Sequence, residues 1–310
     1  KVLALRYLET RVVLSLQGGG ILNFHRGEQP IMCTAPARPH LAGFPMLPFC
    51  SRIHQGKFYD AGRLVQLTPN FAPEPHVIHG FGWLSEWQLE TQSEQSCVMS
   101  FRHDKYSMRK TGWPWVFKAT QAFVLAEYGL TWTVALENQS KRVMPAGMGL
   151  HPYFPLNEGS LARQGQTDIT LNCRSRIELG ESLAPTVVDL LDGLPSNPLA
   201  GKPWSERHID EVYAHRSGVI QLQWRDQPWS LSIHPDPTLQ HLIVYAPRDK
   251  GFICVEPVSH FPNIINAASV VTQANGGLKP LAPGERWMTE TTFMLTSSDT
   301  SKQRFNEMRR

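Results

Sequence analysis

The chain has 310 residues, 41% hydrophobic and 18% charged, and its 30 basic against 27 acidic residues leave a net charge of +3. That balance describes a soluble globular protein with a large core. The densest basic point, Arg304 to Arg310, is too short for a nucleic-acid patch, and no apolar run reaches the ~18 residues that span a bilayer. Five cysteines (Cys33, Cys50, Cys97, Cys173, Cys254) are odd in number and share no metal-ligand spacing. This fits a reduced, cytoplasmic protein rather than a disulfide scaffold or zinc site. The chain begins at Lys1 rather than Met, which leaves room for residues or a processed segment ahead of it.

In chain order, Val12 to Leu16 reads as the first strand. Pro36 to Pro75 is rich in prolines and reads as loop, and within it Arg52 stands alone among apolar and small residues in L-P-F-C-S-R-I. Such a guanidinium needs an oxygen partner, from a ligand or from a structural carboxylate. His79 follows in H-V-I-H-G-F-G-W, where glycines allow a ligand to approach the backbone; a partly buried histidine in a tight turn is the plainer reading. His76, three residues earlier, would face the other way on a strand and reads as structural.

Cys97 to Arg102 is a further strand candidate. Phe123 to Leu136 alternates around Glu127-Tyr128-Gly129 and reads as a hairpin. His151 lies in P-A-G-M-G-L-H-P-Y-F, with small residues before it and aromatics after it. A groove floor and a buried core histidine are both open there. Ile169 to Asn172 is another strand, and Asp210 in H-I-D-E-V-Y stands at the start of one, where composition alone favours a solvated acidic turn. A second hairpin joins Val219–Trp224 to Trp229–Ile233 through Arg225 to Pro228, and Leu242 to Tyr245, Phe252 to Glu256 and Met288 to Leu295 complete the strands.

Glu256 is the sharpest position. An apolar run, Phe252 to Val255, carries a carboxylate to where a sheet face is expected, and burying it unpaired costs several kcal/mol. A role in chemistry or a salt bridge to an arginine would explain it. His151 and Glu256 each precede a proline, which biases them to extended, stiff backbone. With long helical patterns almost absent and no repeat, residues 1–310 read as one all-β domain, a sandwich or barrel with long loops on one face where a site would be built.

In their order along nearly the whole chain, Gln17-Gly18-Gly19-Gly20, S-R-I, H-G-F, L-H-P-Y-F, D-E-V-Y, E-P-V-S-H-F-P-N and L-A-P-G-E resemble the aldose 1-epimerases, or galactose mutarotases. The resemblance implies a large antiparallel β-sandwich of the galactose mutarotase-like supersandwich type, with few short helices and the sugar on a concave sheet face. It implies Glu256 as base on the anomeric hydroxyl, His151 as acid on the ring oxygen, His79 assisting there, and Arg52 and Asp210 holding sugar hydroxyls. The partner implied is a monosaccharide such as galactose or glucose, with no cofactor, no metal, no nucleic acid and no membrane. No stripe marks an oligomer interface.

Three positions depart from the family's motifs. Ser51 replaces the asparagine usual before the arginine, Phe81 replaces the second glycine of H-G-G, and Gly82-Trp83 replaces the Ala-Arg of hexose-6-phosphate relatives. They bear on which sugar binds, and the last counts against a phosphorylated one. For acid and base to coexist near neutrality, a neighbouring carboxylate is expected to raise the His151 pKa from its ordinary ~6.5 while Glu256 starts near ~4.3. Trp83, Trp113, Trp115 and Tyr153 are expected to stack on the sugar. Two rivals remain: a site built of His79, His151 and Glu256 that binds a metal, and a protein that binds sugar without catalysis.

Overall fold

Alternation of buried and partly exposed residues pairs Phe117–Ala126 with Gly129–Asn138 as the predicted hairpin. In the computed structural model this hairpin sits inside an eight-stranded antiparallel sheet. The described residues are all except 36–39, 157–166, 182, 184, 191–207, 225–226, 249, 268–275 and 298–310. Ser96–His103 and Gln88–Gln92 extend the sheet on one side. On the other follow Arg286–Ser297, Trp229–Pro235, Ile220–Trp224 and Thr167–Thr170. The second predicted hairpin is therefore present, with residues 225–226 of its turn outside the described set.

A second antiparallel sheet, of eleven strands, faces it. Its path runs Val2–Tyr7, Thr10–Ser15, Gly20–Arg26, Gly43–Met46, Gly149–Pro155, Phe252–Val258, His241–Ala246, Ile209–Ala214, Ser175–Leu179 and Pro185–Leu190, with Gln29–Met32 beside Gly20–Arg26. The fold is all-β, a large antiparallel sandwich. Among the described residues the one α-helix is Lys105–Thr111, capped by Asp104, which accepts from the Ser107 amide at 2.9 Å, and closed by left-handed Gly112. No helix among those residues is long and apolar enough to cross a membrane.

Aromatic side chains fill the space between the sheets, and polar ties fix the sheets to each other. Gln121 donates to the Gly19 carbonyl at 2.7 Å and accepts from the Trp132 indole at 2.7 Å. Trp224 donates to the Pro155 carbonyl at 2.8 Å, so the outer sheet grips the end of the Gly149–Pro155 strand directly. Trp113 and Trp115 belong to this packing: both are buried, against Phe49 and Phe58. They are core residues, so the expectation that they stack on a sugar is corrected.

Candidate active site

Strand register builds most of the site. His151 lies across from Phe44 on one side. On the other, Gly149 pairs with Val258 and Tyr153 with Cys254, which sets His151 opposite Glu256, itself paired with Ile243. The next row in the same direction is Tyr153, Cys254, Tyr245 and Asp210. Two rows of one sheet face thus hold the predicted acid, base and aspartate. The extended backbone expected before each proline is observed, since His151 and Glu256 lie inside strands covered on both faces.

Irregular segments bring the other two residues. Arg52–Ile53 forms a two-residue pair with Val77–Ile78, and the His79 amide donates to the Ser51 carbonyl at 2.8 Å. His79 is left-handed, with φ 55°, a conformation that costs a non-glycine residue about 1–3 kcal/mol unless its surroundings hold it. Asn70 supplies that hold. Its amide donates to the Ile78 carbonyl at 2.7 Å and the Gly80 carbonyl at 3.1 Å, and it accepts from the Ile78 amide at 2.9 Å. Gly80 completes the turn, because a Cβ there would stand 1.8 Å from the Leu47 carbonyl oxygen.

The tail of the V-E-P motif is a second brace. The Cys50 amide donates to His260 Nε2 at 2.9 Å, so His260 Nδ1 carries the proton and donates to the Phe261 carbonyl at 2.8 Å. Asn263 donates from its amide to the Arg52 carbonyl and accepts from the His54 amide. Ser259 accepts from the Met148 amide at 3.0 Å. S-H-F-P-N therefore positions the segments that carry Arg52 and His151, a role its side chains did not disclose in sequence.

All five predicted residues, Arg52, His79, His151, Asp210 and Glu256, line one cavity of about 430 Å³, within the ~300–1,000 Å³ of small-ligand clefts. Its apolar wall includes Phe44, Trp83 and Tyr153. Phe44 and Tyr153 flank the His151 ring, with centroids at 4.5 and 4.8 Å, and His79 stands edge-on to it at 4.9 Å. His151 Nε2 is 3.2 Å from Glu256 Oε1, both side chains buried. The carboxylate's partner is thus a histidine, whereas an arginine was one expectation. Arg52 instead reaches Asp210 at 3.8 Å and Glu74 at 3.6 Å. Asp210, 43% exposed, faces the cavity rather than forming a plain solvated turn. His76 lies in a bend just ahead of the Val77–Ile78 strand and braces Glu74 at 3.7 Å.

Burial governs the protons. It pushes the Glu256 carboxyl well above the usual range, reinforced by Asp210 and opposed by Arg52. It pushes the His151 imidazole down to about 3, with Arg52 adding to the effect, and holds His79 well below its ordinary value. The expectation that a nearby carboxylate raises His151 is therefore overturned. Desolvation of a charged ring outweighs attraction to a carboxyl that burial has itself neutralised. Both shifts favour an uncharged pair, with the proton on Glu256.

Three atoms of cavity-lining residues, Glu256 Oε2, His151 Nδ1 and His79 Nδ1, are buried without a hydrogen-bond partner. Each such atom costs about 1–3 kcal/mol. Metal donors also converge here. His151, Cys254 and Glu256 offer ligand atoms within 4.8 Å of one another, a different trio from the predicted His79, His151 and Glu256. Burial raises the Cys254 thiol well above its ordinary value, which opposes the thiolate a cation would need.

Comparison with known proteins gives the family. The sequence model described as "Aldose 1-epimerase" matches residues 2–294. The chain belongs to the aldose 1-epimerase family. Among its relatives, the uncharacterized protein YphB of Escherichia coli K12 is 27% identical over 290 residues, covering 90% of this chain and 93% of that protein. The crystal structure of a galactose mutarotase-like protein from Clostridium acetobutylicum superposes with a TM-score of 0.81 at 16% identity, covering 96% and 95% of the two chains. That of a galactose 1-epimerase from Lactobacillus acidophilus NCFM gives 0.70 at 12%, covering 96% and 99%. At such identity these two establish for this family member a shared fold.

Proposed function

We propose that the chain is an aldose 1-epimerase that interconverts the α and β anomers of a free aldohexose such as galactose or glucose. The observation that carries this is the buried His151–Glu256 pair, 3.2 Å apart, in the lining of a cavity of sugar size. Glu256 takes the proton from the C1 hydroxyl while His151 delivers one to the ring oxygen, and the C1–ring oxygen bond breaks to give an aldehyde. Rotation about C1–C2 presents the other carbonyl face, and the reverse transfers close the ring as the other anomer.

The protons balance within the pair. Opening converts Glu256 carboxylate with His151 imidazolium into carboxylic acid with neutral imidazole. That neutral arrangement is the one burial favours. The cavity is thus electrostatically suited to the open-chain state, in which the pair carries no charge. In the ring-closed complex Arg52 favours the Glu256 carboxylate and opposes the His151 imidazolium, so the ion-paired state relies on the sugar hydroxyls. His79, held neutral, stands perpendicular to the His151 ring at 4.9 Å, beside the group that serves the ring oxygen.

Polarimetry of fresh α-D-glucose and α-D-galactose tests the reading. Wild type should accelerate the approach to equilibrium. Glu256→Gln should lose about 10²–10⁴-fold while calorimetry still shows sugar binding. A wild type that binds sugar without changing its rotation is the binding-protein rival. Stoichiometric metal with activity lost on chelation is the metal rival. Either result overturns the proposal.

A further inference from the structure

Glu74 lines the same cavity as the five predicted residues, and nothing in its sequence motif had marked it. It does share one signal with His151 and Glu256, because it stands directly before a proline, Pro75. We propose that Glu74 is a specificity-determining residue: its carboxylate accepts hydroxyl protons from the aldose and repels sugars bearing an acidic substituent at that end of the cavity. The proposal rests on the epimerase reading for the identity of the ligand.

The geometry around Arg52 is the first argument. Glu74 Oε2 lies 3.6 Å from Arg52 Nε, and Asp210 Oδ2 lies 3.8 Å from an Arg52 terminal nitrogen. Both separations exceed the ~2.7–3.2 Å of a made hydrogen bond. The guanidinium is thus bracketed by two carboxylates without being closed onto either. A sugar hydroxyl completes such a gap, since it accepts from the guanidinium and donates to a carboxylate at once. Two gaps around one cation suit neighbouring hydroxyls on one ring.

Glu74 is also held in place. Its Oε1 accepts from the His76 amide at 3.4 Å and lies 3.7 Å from His76 Nε2. His76 Nδ1 accepts in turn from the Gln55 amide at 3.0 Å, which fixes the ring. Burial, with His54 and Arg52 beside it and against the pull of Glu74, keeps the His76 ring below its ordinary value. Being neutral near pH 7, His76 orients Glu74 without cancelling its charge.

Charge balance supplies the rejection. Arg52 and Lys250 face Glu74 and Asp210 in the lining, and the His151–Glu256 pair adds no net charge. An anionic substituent near Arg52 would meet the two carboxylates that bracket it. Neutralising Glu74 tilts the cavity to net positive and removes half of that barrier.

The test is Glu74→Gln, an isostere that keeps the shape and removes the charge. Mutarotation of D-galactose or D-glucose should show KM raised about tenfold with kcat within about twofold, the mark of lost ground-state binding. D-Galacturonate, a weak competitor of wild type, should inhibit the variant about tenfold more strongly. Glu74→Asp retains charge at shorter reach, so it should keep the uronate rejection while KM stays raised. Unchanged KM together with unchanged uronate inhibition in a Glu74→Gln variant of wild-type melting temperature overturns the proposal. Calorimetric binding of galactose and galacturonate to both proteins asks the same question without turnover. A wild type that fails to accelerate mutarotation would therefore sink the epimerase reading alone.

Discussion

The two sheets are covered differently. In the eight-stranded sheet, Phe117–Ala126 alternates buried positions with partly exposed ones, one face against the core and the other toward water. In the eleven-stranded sheet, Gly43–Met46 and Phe252–Val258 are buried at every position. Their polar content differs in the same sense. Buried Gln121 of the first sheet has both ends of its amide bonded, whereas Glu256 and His151 of the second keep an unpartnered atom each. Thr291 of the eight-stranded sheet also keeps a buried hydroxyl unpartnered, so the contrast lies in where such groups gather: Glu256 and His151 sit together in the cavity lining, at a standing cost in stability.

Substitutions can break that contrast. Phe123, fully buried on the outer sheet, should cost about 3–5 kcal/mol when cut to alanine, read by denaturant unfolding, with kcat of the folded fraction unchanged. Glu256→Gln should behave the opposite way, with activity gone and stability held or raised. If Phe123→Ala lowers kcat in the folded protein, the sheets are coupled and the contrast is wrong. Asn70→Ala probes the loop rather than either sheet. Freed from its bracket, His79 should lose its fixed position, and kcat/KM should fall about tenfold, in line with ~1–3 kcal/mol for lost buried hydrogen bonds. Asn70→Asp, which keeps the acceptor to the Ile78 amide, should recover part of the loss.

The smallest effect expected is one of pH. A folded pKa depressed to about 3 leaves the His151–Glu256 pair in the same net protonation state from pH 7 down through 5. The raised Glu256 value extends that state upward. On the acid side kcat/KM, which reports the free enzyme, should therefore stay flat through the ordinary histidine range near ~6.5. An acid limb centred there would show a solvated, separately titrating His151.

The same contrast decides what could be read from residues alone. Strands of the outer sheet, among them Ser96–His103, Ile220–Trp224 and Arg286–Ser297, were legible because alternation survives where one face is wet. Gly43–Met46 and Gly149–Pro155 show no alternation, since both faces are covered. His151 was reached through its motif instead, whereas Gly43–Met46 lay inside the Pro36 to Pro75 stretch that reads as loop. Motifs located Arg52, His79, His151, Asp210 and Glu256 but missed Asn70 and Glu74, whose prolines looked like ordinary loop punctuation. The placement of Trp113 and Trp115 failed because an aromatic side chain does not tell which side of a sheet it packs on. The direction of the His151 shift failed because sequence names a neighbouring carboxylate and not the dryness around it.

The cysteines offer a way to watch the two sheets separately. Cys97 is buried in the outer sheet and Cys254 in the site sheet, while Cys50 sits beneath the His260 brace. Burial lifts all three thiols above their ordinary value, so an alkylating reagent meets each one only when its surroundings open. Mass-resolved labelling in the native buffer would give an opening rate for each. Sugar bound across His151 and Glu256 should slow labelling at Cys254 and leave Cys97 unchanged. The distribution of label would then show whether the sandwich opens as one body or sheds its ligand-holding sheet first.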